Sequence, residues 1–395
     1  MSEKEQILQP LNKNFKEPKL RFRGFQSSWN SIPFLDLFTN FTTNSLSWDF
    51  LNYEEGLIKN LHYGLIHSSK FSIFDSNNAP FINNDYIPKK YTLYKTNDLI
   101  LADTSEDKKD VGKPLELKLD EYPIVCGLHT MHFREKKNVT IPFFKSYYFS
   151  SNMYHRFTYK YSEGVKVFSL KPSLFKYFVF SYPCKDEQEK IVNFLKLMDK
   201  KINLIESKIS ILKKYKRGLI KKLINKYIST EFLRLSDVCK IDTGKLDANQ
   251  MISNGKYKFF TCSREDYCID SYAFDCEAIL ISGNGDVGFS KYYKGKFNAY
   301  QRTYVLHDFL INAKFIKIIF DENVGKIIRK ETNIGAMPYI RKSTFDKVLI
   351  PKIKKESIEY FVSIYDSIEY KIDSIESKLN SIKCFRNQLL KDMFI

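Results

Sequence analysis

Two copies of one helical segment decide the fold of this chain: residues 202–213 are INLIESKISILK, and residues 372–383 are IDSIESKLNSIK. The copies lie 170 positions apart, and their apolar residues alternate in steps of four and three, the spacing of a coiled-coil seam. Both seams are interrupted at the same place, by Lys216 and by Arg386. A shared interruption indicates duplication rather than two unrelated amphipathic helices. The residues predicted to pair the helices are Met198, Ile202, Ile205, Ile209, Leu212, Leu219 and Leu223 in the first copy, and Ile368, Ile372, Ile375, Leu379, Ile382, Leu389 and Met393 in the second.

Each long helix is predicted to begin soon after a proline, Pro183 or Pro351. Proline disfavours helix in the residue before it, and the acidic residues that follow suit a helix N-terminus. Each copy then continues for about 40 residues, or ~60 Å at 1.5 Å per residue. A helix of that length with one apolar stripe needs a partner, and the nearest candidate is its own duplicate.

The segments between the helices have a different pattern. They are rich in Tyr, Phe, Ile and Val, in short runs interrupted by Gly, Asn and Asp, such as YTLYKTNDLILAD and CEAILISGNGDVGFSKYYKG. Such runs are typical of short strands and hairpins, and helical stretches accompany them, so two compact mixed α/β (α+β) domains are expected. The predicted order is a flexible tail at 1–19, a first domain at 20–183, a central long helix at 184–228, a second domain at 229–351 and a C-terminal long helix at 352–395.

The charge balance is the unusual bulk property: 63 Lys and Arg stand against 46 Asp and Glu, a formal net charge of +17. A surplus of this size is typical of nucleic-acid-binding proteins, although a lysine-rich surface kept for solubility gives the same count. The seven cysteines form no CxxC pair, which favours free thiols in a reducing cytosol. With no apolar run near the ~20 residues of a membrane span, and no signal peptide, we expect a soluble, cytoplasmic protein without membrane contact.

Motifs for enzyme chemistry are weak. Gly283, Gly285 and Gly288 form a GxGxxG after an apparent strand, but FSKYYKGKFNAY follows and alternates like a strand, which favours a glycine hairpin over a cofactor loop. Backbone N–H groups of that turn remain candidates for phosphate contact. ExK triplets are similar to part of a nuclease motif. Those at Glu206 and Glu376 lie inside the heptads, where such residues face solvent, and the one at Glu116 follows Asp110. Without a methyltransferase motif, a phosphate loop or metal-ligand spacing, we predict no catalytic, metal or cofactor site on this chain.

The ordered set of motifs resembles the specificity subunits of type I restriction–modification systems over nearly the whole chain. The segments that carry the resemblance are PKLRFRGFQSSWNSIPFLDLF (18–38), IKNLHYGLIHS (58–68), NDLILADTSEDKKDVGK (97–113), IVCGLHT (124–130), PCKDEQEKIVNFLKLMDKKI (183–202), TGKLDANQMISNGKYKFFTCS (243–263), ILISGNGDVGFS (279–290), KFNAYQRTYVL (296–306) and IGAMPYIRKSTF (334–345). The second helical copy departs from the family pattern, because KIKKESIEYF replaces an EEQ-type opening.

The resemblance implies two target-recognition domains, each of which binds one half of a split, asymmetric sequence in double-stranded DNA. It implies that the two long helices pair as an antiparallel coiled coil and set the distance between the halves. Two modification subunits would dock on the helices and methylate adenine with S-adenosylmethionine, and two restriction subunits would add ATP- and Mg-dependent translocation and cleavage. The chain itself would be a non-catalytic DNA-recognition subunit with no cofactor of its own.

Candidate DNA contacts are the loops rich in side chains that distinguish bases or hold phosphates. In the first domain these are Lys59, His62, Tyr63, His67, Ser69, Lys70, Thr104, Ser105, Glu106, Asp107, Lys108 and Lys109. In the second they are Lys245, Ser263, Arg264, Asn284, Gln301, Arg302, Thr303, Tyr339, Arg341 and Lys342. Gln suits adenine and Arg suits guanine, which makes residues 301–303 the sharpest candidates. A solvated charged turn at 104–109, core positions for His62 and Tyr63, and a polar strand end at 301–303 are the alternatives.

Two other functions remain open at this point. A self-sufficient nuclease or methyltransferase with a fused reader would cleave or methylate DNA unaided. A basic coiled-coil protein that binds nucleic acid non-specifically would leave a footprint with no sequence preference, and its affinity would fall uniformly with salt.

Overall fold

A computed structural model of the chain describes residues 17–226, 231–331 and 339–395. Most of the predicted tail, and residues 334–338 of the last motif, lie outside the described residues. The chain divides into two units: the first ends at Glu206 and is completed by Ser377–Ile395, and the second is Ser207–Glu376. The fold is mixed α/β, with two sheet-rich domains joined by long helices, as predicted. No helix among the described residues is long and apolar enough to span a membrane.

The helices differ widely in length, and two of them exceed all others. Their bounds are α1 (Phe34–Leu37), α2 (Tyr63–Ser68), α3 (Phe144–Tyr148), α4 (Asn152–Tyr161), α5 (Lys185–Lys226), α6 (Leu235–Val238), α7 (Ala313–Glu331) and α8 (Lys355–Asp392). Helix α5 has 42 residues and α8 has 38, close to the predicted length of the two repeated helices.

The first unit contains the strands β1 (Asn30–Pro33), β2 (Phe38–Phe41), β3 (Leu51–Asn52), β4 (Lys59–Leu61), β5 (Ile73–Asp75), β6 (Phe81–Ile82), β7 (Leu99–Ala102), β8 (Thr104–Ser105), β9 (Pro114–Lys118), β10 (Ile124–Cys126), β11 (Thr130–Glu135), β12 (Phe168–Ser169) and β13 (Val179–Tyr182). They form a four-stranded sheet in the order β10-β4-β6-β3 and a five-stranded sheet in the order β2-β11-β7-β9-β5. Strands β4 and β10 run parallel, so the loops that follow them leave the sheet at the same edge.

The main core of the first unit is aromatic. Phe34 contacts the rings of Phe38, Phe133 and Phe175, with ring centroids 4.4–4.9 Å apart. Both long helices contribute to this core, through Leu195 near the start of α5, through Leu389 and Leu390 near the end of α8, and through Met393, Phe394 and Ile395 directly after α8. The first domain therefore depends on residues from the far end of the sequence.

The second unit contains β14 (Phe232–Arg234), β15 (Lys240–Thr243), β16 (Tyr257–Phe260), β17 (Tyr267–Ile269), β18 (Phe274–Ser282), β19 (Ser290–Ala299), β20 (Thr303–His307) and β21 (Leu349–Pro351). Six of these form one sheet in the order β15-β20-β18-β19-β16-β17. The hairpin of β18 and β19 pairs from Phe274 with Phe297 to Ile281 with Ser290. Helix α7 packs on this sheet, and its buried residues share a core with Ile220 of α5 and Ile358 of α8.

Both domains begin and end with the same frame, which extends the duplication beyond the long helices. In the first unit β1 pairs antiparallel with β13, and α1 follows β1. In the second unit β14 pairs antiparallel with β21, and α6 follows β14. Each ribbon ends directly before one of the long helices.

The long helices pair antiparallel within each unit. In the first unit Glu206 of α5 lies 2.8 Å from Lys383 of α8, and the earlier residue Asp199 pairs with the later residue Arg386. In the second unit Lys213 lies 2.7 Å from Glu376, and Lys216 pairs with Glu369. All the predicted pairing residues are buried or half-buried. Lys216 and Arg386, which interrupt the two seams, thus form ion pairs between the helices. The two ExK triplets inside the heptads also form such pairs, through Glu206 and Glu376.

The N-termini of the two helices differ, as the departure from the family motif suggested. Gln188 in the first turn of α5 is buried, and its amide donates to the carbonyls of Pro183 and Val139 while its oxygen accepts from the Ile141 N–H. The equivalent residue in α8 is Ile358, which is buried in the apolar core of the second unit. Apolar packing therefore replaces a hydrogen-bonded attachment in the second copy.

The glycine motif forms a turn between two strands. Gly285 and Gly288 have φ values of +63° and +79°, in the left-handed region that glycine adopts freely. Strand β19, not a helix, follows the turn. The prediction of a glycine hairpin rather than a dinucleotide loop is confirmed.

Candidate nucleic-acid interface

In the second unit, five loops with polar side chains converge on one surface. The Gly283 N–H donates to the Arg302 carbonyl at 3.0 Å, and the Ile340 N–H donates to the Gly283 carbonyl at 2.9 Å. The Gln301 N–H donates to the Leu246 carbonyl at 2.9 Å, and the Asp286 N–H donates to the Cys262 carbonyl at 3.3 Å. Main-chain bonds therefore hold the loops after β15, β16 and β18, the turn before β20 and the segment at 339–342 in fixed positions.

Most of the predicted second-domain residues lie on this surface with side chains that solvent can reach. Lys245, Arg264, Gln301, Arg302, Tyr339, Arg341 and Lys342 are exposed, and Ser263 and Asn284 are half-buried. Several are oriented by neighbours: the Gln301 amide donates to Asp247 at 2.7 Å, Arg264 Nε donates to Asp286 at 3.1 Å, and Arg341 Nε donates to the Tyr339 hydroxyl at 2.9 Å. The surface thus combines basic groups with fixed donors and acceptors, which suits recognition of both phosphates and base edges.

Thr303 is the exception in the second domain. It is the first residue of β20 and is only 1% exposed, and its hydroxyl lies near the carbonyl of Phe260. The prediction that it contacts DNA is therefore wrong for this structure, because its side chain faces the interior while those of Gln301 and Arg302 face solvent.

In the first unit, the loops after β4, β7 and β10 meet at the corresponding strand ends. The Gly127 N–H donates to the Leu61 carbonyl at 2.9 Å, and the Asp103 N–H donates to the His129 carbonyl at 3.1 Å. The His67 ring donates to the Thr104 carbonyl at 2.8 Å. These contacts bring the two predicted clusters, at 59–70 and 104–109, onto one surface.

The residues of the first-domain clusters that solvent can reach lie at the tips of these loops. Glu106, Asp107 and Lys109 are exposed in a charged turn, and Tyr63, His67, Ser69, Thr104, Ser105 and Lys108 are half-buried. The ammonium of Lys108 lies 4.4 Å from the ring centre of Tyr159. The turn is shaped by its own side chains, since Ser105 accepts from the Asp107 N–H and Asp107 accepts from the Lys109 N–H. This local order is compatible with the solvated-turn alternative as well as with DNA contact.

For three residues of the first domain, the structure contradicts the predicted contact with DNA. Lys59 is 3% exposed, pairs with Asp120, donates to the Ser76 carbonyl and lies 5.1 Å from each of the Phe81 and Tyr122 ring centres. His62 is also 3% exposed. Lys70 is exposed but pairs with Glu206 and donates to Asn203 at 3.1 Å, so it attaches the domain to α5. Lys59 and His62 are therefore buried structural residues, and the Lys70 ammonium is engaged by α5.

His62 instead has a structural role at the start of α2. Its Nδ1 accepts from the Gly64 N–H at 3.1 Å, which caps the start of α2, and its ring lies 4.5 Å from that of Trp48. Burial, together with the nearby His129, lowers the pKa of His62. The ring is therefore favoured in the neutral form, in which Nδ1 can accept.

Sequence reasoning missed His129 and Asp103 in the first unit, and Asp247 and Asp286 in the second. His129 lies in the segment IVCGLHT (124–130), but the sequence does not reveal its positive φ. Asp103, Asp247 and Asp286 were not among the predicted contacts, although a carboxylate can accept from a base amino group. Each aspartate lies one or two positions from a predicted contact residue in the sequence, and that proximity was the available signal.

Comparison with known proteins gives the class. The model of the type I restriction modification DNA specificity domain matches residues 228–383. The type I restriction enzyme EcoDI specificity subunit of Escherichia coli is 35% identical over 162 residues, which are 40% of this chain and 36% of that protein. The matched part thus spans little more than a third of that relative's length.

The whole fold is also similar to solved structures. The S subunit of a type I restriction–modification system from M. genitalium has a TM-score of 0.60 at 16% identity, covering 96% of this chain and 99% of that one. A chain from a study of complex assembly and conformational transition of the type I R-M system has a TM-score of 0.55 at 13% identity, covering 92% and 96%. At these identities the likeness shows the fold alone. Residues 228–383, which include most of the second unit, match the type I restriction modification DNA specificity domain. The chain thus resembles the specificity subunits of type I restriction–modification systems, with a matching family domain over residues 228–383.

Proposed function

We propose that this chain recognises a bipartite, asymmetric DNA sequence, with one half-site bound by each globular domain, and that it performs no catalysis itself. The observation that carries this proposal is the surface of the second unit, where five loops held by main-chain hydrogen bonds present Gln301, Arg302 and Arg341 to solvent. Rigidly held donors and acceptors of this kind discriminate base edges, because each good bidentate contact is worth roughly 1–3 kcal/mol against the wrong base.

The first domain reads the other half-site in this proposal, through the loops after β4, β7 and β10. Its candidate contacts are Tyr63, His67, Ser69 and the turn at 104–109. The two surfaces carry different side chains, which supports an asymmetric target. The formal net charge of +17 supports non-specific attraction to the phosphate backbone, on which base reading depends for register.

The paired helices set the distance between the half-sites and hold two modification subunits, with two restriction subunits as further partners. S-adenosylmethionine, ATP and Mg belong to those partners and not to this chain. The domain limits proposed for this division of labour are 20–183 and 229–351, with the long helices between and after them. Antiparallel ion pairs in both units support a stiff helical connection.

Genome-wide mapping of methylated adenine, with and without the gene, tests the proposal. We expect one bipartite motif with a fixed gap to lose methylation when the gene is deleted. Replacing residues 229–351 with the second domain of another specificity subunit should change one half of the motif and leave the other half unchanged. Methylation or cleavage by the purified chain alone would support a self-sufficient enzyme, and binding without sequence preference would support a non-specific nucleic-acid-binding protein.

A further inference from the structure

His129 has a backbone conformation that its side chain does not explain by itself. It lies in the short turn between β10 and β11 with a φ of +56°, in the left-handed region that non-glycine residues adopt at a cost in energy. Glycine adopts a positive φ without this cost, so the presence of histidine here indicates a role for its side chain. Strain of this kind gathers at functional sites because the surrounding structure has to hold it in place.

The surroundings of His129 fix the direction of its ring. Its Nδ1 lies 3.3 Å from Oδ1 of Asp103, and its ring packs edge-on against Tyr63 with centroids 5.2 Å apart. The His129 side chain is nevertheless 44% exposed. Since Nδ1 faces Asp103, the other ring nitrogen, Nε2, lies on the side of the ring away from that carboxylate.

The Asp103 backbone is held by hydrogen bonds on both sides, and its carboxylate can accept a further hydrogen bond. Its N–H donates to the His129 carbonyl at 3.1 Å, and its carbonyl accepts from the Leu170 N–H at 2.8 Å. Its Oδ1 atom is buried and has no hydrogen-bond partner among the described residues. For the neutral ring, a carboxylate oxygen 3.3 Å from Nδ1 favours the tautomer with the proton on Nδ1 over the tautomer with the proton on Nε2.

A neutral histidine with its proton on Nδ1 presents Nε2 as an acceptor. In the major groove, adenine N6 and cytosine N4 are donors, whereas guanine O6 and thymine O4 are acceptors that would oppose it. We propose that His129, oriented by Asp103, reads the amino group of one adenine or cytosine in the half-site bound by the first domain. The inference rests on the proposed function and adds the residue and the chemistry of one reading position.

The test is selection of bound duplexes from a randomised pool by the purified full chain, followed by sequencing. For His129→Gly, which relieves the strained backbone, we expect one position of one half-site to lose its preference for adenine or cytosine. Affinity for the preferred duplex should fall about tenfold, while the other positions stay unchanged.

Asp103→Asn gives a sharper result, because the amide can donate to Nδ1 and move the ring proton to Nε2. The reading group then becomes a donor, and the preference at that same position should move to guanine or thymine. Asp308→Gly is the matched control: it relieves a φ of +52° at the end of β20 remote from Arg302, and it should leave the motif unchanged.

The outcomes separate this inference from the proposed function. A bipartite motif for the natural chain that is unaltered in both His129→Gly and Asp103→Asn would overturn the role of His129 and leave the proposed function standing. If the natural chain selects no bipartite motif, the proposed function fails, and the role of His129 fails with it.

Discussion

Arg386 pairs with Asp199 in the first unit, and their counterparts in the other copy of the repeat, Lys216 and Glu369, form the same pair in the second unit with acid and base exchanged between the helices. Each acid also accepts from a tyrosine hydroxyl, Asp199 from Tyr147 at 2.9 Å and Glu369 from Tyr365 at 3.0 Å. Burial and the neighbouring carboxylate raise the pKa of both tyrosines. Each unit thus has one polar crossing within the apolar seam of its helices, and such a crossing favours a single register.

Removal of Arg386 should be costly. Its side chain is 12% exposed and that of Asp199 is 10% exposed, so Arg386→Met would leave a buried carboxylate without its cation. We expect the free energy of unfolding to fall by about 3 kcal/mol, measured by urea denaturation. Lys213→Met is the matched control, because the Lys213–Glu376 pair is 47% and 40% exposed and should contribute less than about 1 kcal/mol. Equal losses in both variants would contradict a register role for the buried pair.

The surroundings of Asp98 lead us to expect that acid lowers the stability of the first domain. Burial alone would raise its pKa, but hydrogen bonds from His132 at 2.7 Å and from Arg134 at 2.6 and 2.7 Å hold the pKa below its usual value. A carboxyl group with a lower pKa in the folded state stabilises fully above its unfolded pKa, near 3.9, and loses that effect as pH falls through the folded pKa.

Asp98→Asn should therefore lower stability at neutral pH and flatten its dependence on pH below about pH 4. Urea denaturation at a series of pH values measures both effects. Asp75→Asn is the control, since Asp75 pairs with Lys118 at 3.0 Å on the surface and should change the pH profile less. A pH profile for Asp98→Asn that matches the natural protein would show that the network around Asp98 does not stabilise the fold.

Sequence pattern was sufficient for the helical pair and the glycine hairpin, because both depend on local periodicity. The seam interruptions at Lys216 and Arg386 were also visible, but their meaning was not. The partner acids Asp199 and Glu369 lie on the opposite helix, and their pairing becomes apparent only once the antiparallel register is known. Long-range contacts of this kind leave no local signal.

The sequence located the loops that carry the candidate DNA contacts, but not the direction in which single side chains face. Polar residues after short strands identified segments that meet on one surface of each unit, since strand ends gather there. Whether Lys59 or Thr303 faces inward depends on the register of short strands, where a shift of one residue reverses the face. The ion pair of Lys70 with Glu206 depends on how the domain packs on α5, which no local pattern contains.

Lys59 should behave as a structural residue. Lys59→Met removes a buried ammonium and leaves the Asp120 carboxylate unpaired, so we expect a loss of about 3 kcal/mol in unfolding free energy. The motif selected from a randomised duplex pool should not change. A changed half-site in a folded Lys59→Met variant would restore Lys59 as a DNA contact.

Arg302 should behave in the opposite way. Arg302→Ala removes an exposed side chain on the loop surface of the second unit, so stability should change by less than about 0.5 kcal/mol. Affinity for the preferred duplex should fall by about 1–3 kcal/mol, with relaxed choice at one position of the second half-site. Lys245→Ala is the comparison: if Lys245 contacts phosphate, the salt dependence weakens and the sequence preference is retained. Uniform weakening across sequences in Arg302→Ala would assign Arg302 to phosphate instead.

The contribution of Leu389, Met393 and Phe394 to the aromatic core of the first unit has a consequence for biosynthesis. A ribosome that has translated residue 376 has supplied all of the second unit, while the first unit still lacks the helical end that completes its core. The domain that is translated first is therefore expected to reach its native packing last. Until then, its unfinished apolar surface is exposed to chaperones and proteases.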